Sequence, residues 1–208
     1  MSGLASVFAD GHVDGCELAG YHAGLSAGLG KALVDLDDTE LVAAARGGFA
    51  AVPAERVHED ATVVEHGMVA AEGVAILDVR LPAGLTVLRP AGDRPEVVGL
   101  RLAAVRIGLV RKVLDQALAR QTDENSLLRW RIGLRAIGEI RAVLEGLRWR
   151  LVGLAGFPSR ADVAEVHARL TDLDWRVARL FWPEGYREDR RVRALFVGEL
   201  VATTWVGA

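Results

Sequence analysis

The sequence predicts an α+β fold, mainly α, with a small antiparallel β-domain over residues 1–95 followed by an up-down four-helix bundle over residues 96–208. Three observations lead there. The apolar period changes from about two to about 3.6 near Arg89-Pro90-Ala91-Gly92-Asp93-Arg94-Pro95, where two prolines and a glycine disfavour both helix and strand. Beyond that point, four long stretches repeat apolar residues at helical spacing. The links between those stretches are short, which makes neighbouring helices antiparallel.

In chain order, Gly20, Gly24 and Gly28 recur every four residues. They form either a small-residue stripe for close helix packing or an irregular segment, because each glycine costs a helix about 0.5–1 kcal/mol relative to alanine. A phosphate loop is excluded at Gly30-Lys31. The nearest upstream glycine partner, Gly24, is one residue too far, and Ala32 stands where a metal-binding Ser or Thr is needed. Leu41–Ala45 and Phe49–Val52, on either side of Arg46-Gly47-Gly48, read as a hairpin, glycine supplying the positive φ of the turn. Val74–Val79 reads as a further strand, closed by Leu81-Pro82-Ala83-Gly84, with Lys31–Leu36 and Thr62–His66 as additional strands.

The first bundle helix is expected over Glu96–Arg120, with Leu100, Ala103, Ala104, Ile107, Leu114 and Leu118 inward. Asp123 or Asn125 caps a second, running through Ile137, Ile140, Leu144 and Leu151 to Gly153–Pro158. Ser159 caps a third, which Pro183 stops, and the fourth spans Glu188–Trp205.

The composition bounds the function. The single cysteine, Cys16, allows neither an internal disulfide nor a cysteine zinc site, which fits a reducing cytoplasm. Charged residues interrupt every apolar stretch short of the roughly 20 residues a membrane helix needs, and Met1–Asp10 lacks the basic start of a signal peptide. Of 25 basic and 28 acidic residues, 6 and 14 lie in residues 1–95, leaving 19 and 14 for the remainder. The second half is thus mildly basic, but its arginines recur among acids at helical spacing. That is a solvated helix face and not a nucleic-acid patch.

The five histidines show no metal-ligand spacing, so each is a surface or hydrogen-bonded group and no metal is expected. His22, beside Tyr21 in the glycine-rich segment, is the candidate general base if that segment lines a cavity. Glu139 and Glu145 are expected to pair with Arg135, Arg141 or Arg148 at helical spacing. The five tryptophans fall at helix positions and read as core or subunit interface.

The strand ending Asp78-Val79-Arg80-Leu81-Pro82-Ala83, the run Arg101-Leu102-Ala103-Ala104-Val105-Arg106-Ile107-Gly108 and the turn Gly185-Tyr186 before a basic stretch occur in the order seen in acyl-CoA dehydrogenases. The chain resembles the end of that family's middle β-domain plus its C-terminal four-helix bundle, from about Leu33 to Trp205. The resemblance implies an acyl-thioester substrate on CoA or an acyl carrier protein, FAD as cofactor, and a homodimer or a heteromer with a dehydrogenase-like subunit. It assigns Arg120, Gly185 and Tyr186 to the flavin and Glu199 to the α-proton. The chain also departs from the family. It has no room for the N-terminal helical domain, only Arg120 remains of Arg-x-x-Phe-Gly, and Gly198-Glu199-Leu200 reverses the usual Glu-Gly-Thr order. These departures argue against a self-contained flavin site. They leave open a flavin-free enzyme of specialised biosynthesis, an accessory subunit completing a partner's site, and a bundle unrelated to the family.

Overall fold

A computed structural model describes residues 3–45, 47–80, 94–121, 127–181 and 190–206, with side chains described for 12–45, 47–80, 95–119, 133–181 and 192–206. Two helices open it, α1 (Gly3–Ala23) and α2 (Leu25–Ala32), followed by α3 (Asp38–Ala44). Strands β1 (Phe49–Pro53), β2 (Val63–Val64) and β3 (Val74–Asp78) come next, with α4 (Gly67–Ala70) between the last two. Four helices complete the chain, α5 (Arg94–Gln121), α6 (Leu127–Leu154), α7 (Arg160–Ala178) and α8 (Arg190–Val206). The architecture is therefore mainly helical with a small antiparallel sheet.

The glycine-rich start is helical. Val13, Cys16, Glu17 and Gly20 share one buried face of α1, which lies along α5. The approach is close because the facing positions lack side chains. A Cβ on Gly108 would sit 2.1 Å from the Glu17 carbonyl oxygen, and one on Gly20 would sit 2.4 Å from that of Val105. Gly24 plays the opposite part, ending α1 with φ +93°, a conformation side chains disfavour. The small-residue stripe holds for Gly20 and Gly28, both against Val105, while Gly24 is the break.

Two expected strands are helix or turn. Leu41–Ala45 falls on α3, and Lys31–Leu36 is the end of α2 and the turn after it. The reason for α3 is local. Asp37 accepts from the Glu40 N–H at 2.8 Å while Glu40 accepts from the Asp37 N–H at 3.1 Å, a reciprocal cap that fixes the first turn. The hairpin is consequently replaced by a longer-range pair. β3 is the central strand, flanked by β1 and β2, both antiparallel to it, with Ala51 opposite Ile76 and Val64 opposite Ile76 on the other edge. Of the expected Thr62–His66, only Val63–Val64 is strand.

Pro95 lies inside the first turn of α5, where a missing N–H removes no helical bond, so the helix starts slightly earlier than expected. Ser159 caps α7 as predicted, accepting from the Asp162 N–H at 3.1 Å. The caps proposed at Asp123 and Asn125 and the stop at Pro183 lie outside the described residues. One continuous core joins sheet and helices. At the joint, buried Trp205 of α8 donates from Nε1 to the Ala51 carbonyl at 3.1 Å, and Ala51 N–H donates to Thr204 Oγ1 at 3.2 Å. No helix among the described residues is long and apolar enough to cross a membrane.

Candidate functional site

The groove between α7 and α8 is lined at matching intervals. Ala164, His167, Ala168 and Thr171 recur at i, i+3, i+4 and i+7 on α7, as do Glu199, Ala202, Thr203 and Val206 on α8. Arg106 of α5 forms the remaining wall of this cavity of about 320 Å³. That volume falls within the range of small-molecule pockets.

Arg106 organises the polar side of the groove. It sits amid the uninterrupted buried run Leu102–Val110, and its side chain is 4% exposed. A charge so buried needs partners, and α7 supplies them. Nη2 donates to Asp174 Oδ2 at 2.7 Å and to Thr171 Oγ1 at 3.0 Å, while Nη1 donates to His167 Nδ1 at 3.1 Å and to the His167 carbonyl at 3.3 Å. His167, Thr171 and Asp174 are at i, i+4 and i+7, so one helix face presents all three.

These bonds fix the protonation states. With Nδ1 accepting from Arg106, His167 donates from Nε2 to the Gly99 carbonyl at 2.9 Å and is neutral. Burial, with the Arg106 charge added, pushes its pKa down to about 3. Both ring nitrogens are committed, so His167 orients Arg106 and does not carry protons. Asp174 is pushed up to about 6 by burial, which outweighs its attraction to Arg106, and the nearby Glu199 adds to the rise. The same imbalance shows in the bonding, because Asp174 Oδ1 and Arg106 Nε are buried without a hydrogen-bond partner among the described residues.

Glu199 and Thr171 are the groups that face the cavity with chemistry to spare. Thr171 Oγ1 accepts from Arg106, and its own hydrogen has no acceptor among the described residues. Thr203, by contrast, donates to the Leu200 carbonyl at 2.7 Å. Ala164, Ala168, Ala202 and Val206 give the rest of the lining an apolar character.

A second cavity of about 380 Å³ lies beside α5 and α6, lined by Arg111, Leu114, Asp115, Arg141, Ala142, Leu144 and Glu145. Most of its charges are neutralised locally. Arg111 pairs with Glu17 of α1, and Asp115 pairs with Arg141 and accepts from the Tyr21 hydroxyl at 2.8 Å. His22 is exposed at the end of α1, edge-on to Tyr21 at 4.8 Å, and lines neither cavity. Glu139 forms the expected pair with Arg135 at 2.9 Å.

Of the residues to which the resemblance assigns the flavin, Arg120 lies in the last turn of α5 with its side chain outside the described residues, and Gly185 and Tyr186 lie outside them entirely. Among the described residues no three of His, Cys, Asp and Glu gather as metal ligands would. Sequence reasoning singled out Glu199 but missed its companions. The available signal was an arginine inside the otherwise apolar run Leu102–Val110, with a later helix carrying polar residues on its buried stripe. No known protein family matches the chain, and neither does any curated protein or solved structure.

Proposed function

We propose that the chain is a cytoplasmic enzyme that removes and returns the α-proton of an acyl thioester, borne on CoA or a carrier protein, in the groove between α7 and α8. The observation that carries this reading is that Glu199 shares one cavity wall system with Thr171, a hydroxyl polarised by a buried guanidinium. The alanines and Val206 suit an acyl chain, and exposed Ala164, Ala168 and Thr203 mark a mouth through which a bulky carrier stays outside. Glu199 takes the proton from the α-carbon, and charge moves to the thioester oxygen. Thr171 donates its free hydrogen to that oxygen, stabilising charge that exists only after proton removal. No electron acceptor takes part, so no step passes through FAD.

The test is exchange of the α-protons of a short straight-chain acyl-CoA in deuterated water, followed by proton NMR. Solvent deuterium is expected at the α-carbon, and Glu199→Gln is expected to slow its entry by about a hundredfold or more. Failure of the unaltered protein to exchange, or exchange indifferent to Glu199→Gln, overturns the reading.

A further inference from the structure

We propose that the outward face of α6 is a self-docking surface, on which a second copy of the chain lies antiparallel about a two-fold axis at Ala142. The inward face of α6 buries Ile137, Ile140, Leu144, Leu147 and Leu151. On the opposite face Trp149 is 71% exposed, and Phe157, just past the helix end, is 90% exposed. Large apolar groups left in water at this level mark interaction surfaces. Around Trp149 the face is flat: Cβ atoms added at Gly138, Gly146 and Gly153 would meet nothing within 4 Å among the described residues. Nothing among the described residues calls for glycine at those positions, although each weakens the helix. A helix packed closely from outside does call for it.

The identity of that helix follows from the symmetry of the face. Gly138 and Gly146 lie four residues either side of Ala142, and Arg135 and Trp149 lie seven either side. A two-fold axis at Ala142 therefore sets Gly138 against the second copy's Gly146 and Arg135 against the second copy's Trp149. The guanidinium, 84% exposed, then stacks on the indole, a cation–π contact made twice. The flanks agree. On a helix of 3.6 residues per turn, Glu145 and Arg141 fall on the same side of the Gly138–Ala142–Gly146 line and Glu139 on the other. The symmetric pairing brings Glu145 beside the second copy's Arg141, and no two carboxylates meet. This charge complementarity of the face with itself selects a second copy over an unrelated partner. At 28 residues, α6 is roughly 42 Å long, ample for such a contact.

Sedimentation equilibrium of the full chain is expected to show a dimer. Trp149→Ala and Gly146→Trp are each expected to raise its dissociation constant about tenfold or more, with the circular dichroism spectrum little changed because both positions face solvent in the protomer. Ala142→Cys, at the axis, is expected to oxidise to a disulfide-linked dimer, while Val143→Cys, about a quarter-turn away, does not. The native Cys16 is fully buried and does not interfere. A chain that stays monomeric at its highest soluble concentration, or a dimer that ignores these changes and fails to link at position 142, overturns the proposal.

Discussion

The Arg106 cluster holds two ionisable groups displaced in opposite directions, and the displacement predicts how stability responds to acid. His167 is held near 3 against an ordinary 6.5. The unfolded chain therefore binds the extra proton between those values, and the His167 contribution to stability is lost as pH falls through that window. Asp174 is held near 6 against an ordinary 3.8, so there the native state binds the extra proton, and its contribution is lost as pH rises from about 3.8 through 6. Between roughly pH 4 and 6 the two effects cancel. Relative to the unaltered protein, Asp174→Asn should lose stability on acidification across that interval and His167→Gln should gain it, each by about 1.4 kcal/mol per pH unit. Urea titrations at several pH values measure both, and slopes of the same sign would contradict the assignment. Truncation is harsher. Asp174→Ala leaves the buried guanidinium without its counter-charge and should cost about 3–5 kcal/mol.

At the scale of elements, the close contact of α1 with α5 depends on residues without side chains. Gly108→Ala would drive a methyl group into the backbone of Glu17 and Tyr21. Although alanine favours helix, the overpacking should prevail and destabilise the protein by about 1–3 kcal/mol, with amide hydrogens of α1 exchanging faster than those of α7. Unchanged stability in chemical denaturation would show that the two helices can separate without loss. This is also where the sequence was most and least informative. The four C-terminal helices were legible because their apolar stripes are long and Ser159 is a strong cap. Leu41–Ala45 reads as strand but is helical through Ala44 in α3, although Asp37 and Glu40 stand at capping-box spacing. A run as short as Leu41-Val42-Ala43-Ala44 does not declare its period, and the cap had to decide. β1 lay where expected, but its partner, β3, depends on a pairing some 25 residues away that no local pattern reveals. The site follows the same logic. Glu199 is named only through the family resemblance, whereas Arg106 and Asp174 gain meaning from a contact spanning 68 residues.

For the whole molecule, the sheet, the first helices and the bundle share one core, so residues on either side of the segment 81–93 bury their apolar surface against each other. Thermal unfolding followed by near-UV and far-UV circular dichroism should give coincident single transitions, since neither part retains a covered interior alone. Two separated transitions would mean that the halves are independent. Glu17 of α1 is held by Arg111 of α5 and, at 2.8 Å, by Arg148 of α6, while Ala51 of β1 is held by Trp205 of α8. During synthesis Ala51 of β1 thus waits for a mate made 154 residues later. The nascent chain can lay α1 against α5 before α8 exists, but the joint between sheet and helices forms only once Trp205 has emerged. Until then β1 lacks its cover from α8, which makes this a chain that gains from a holding chaperone during translation.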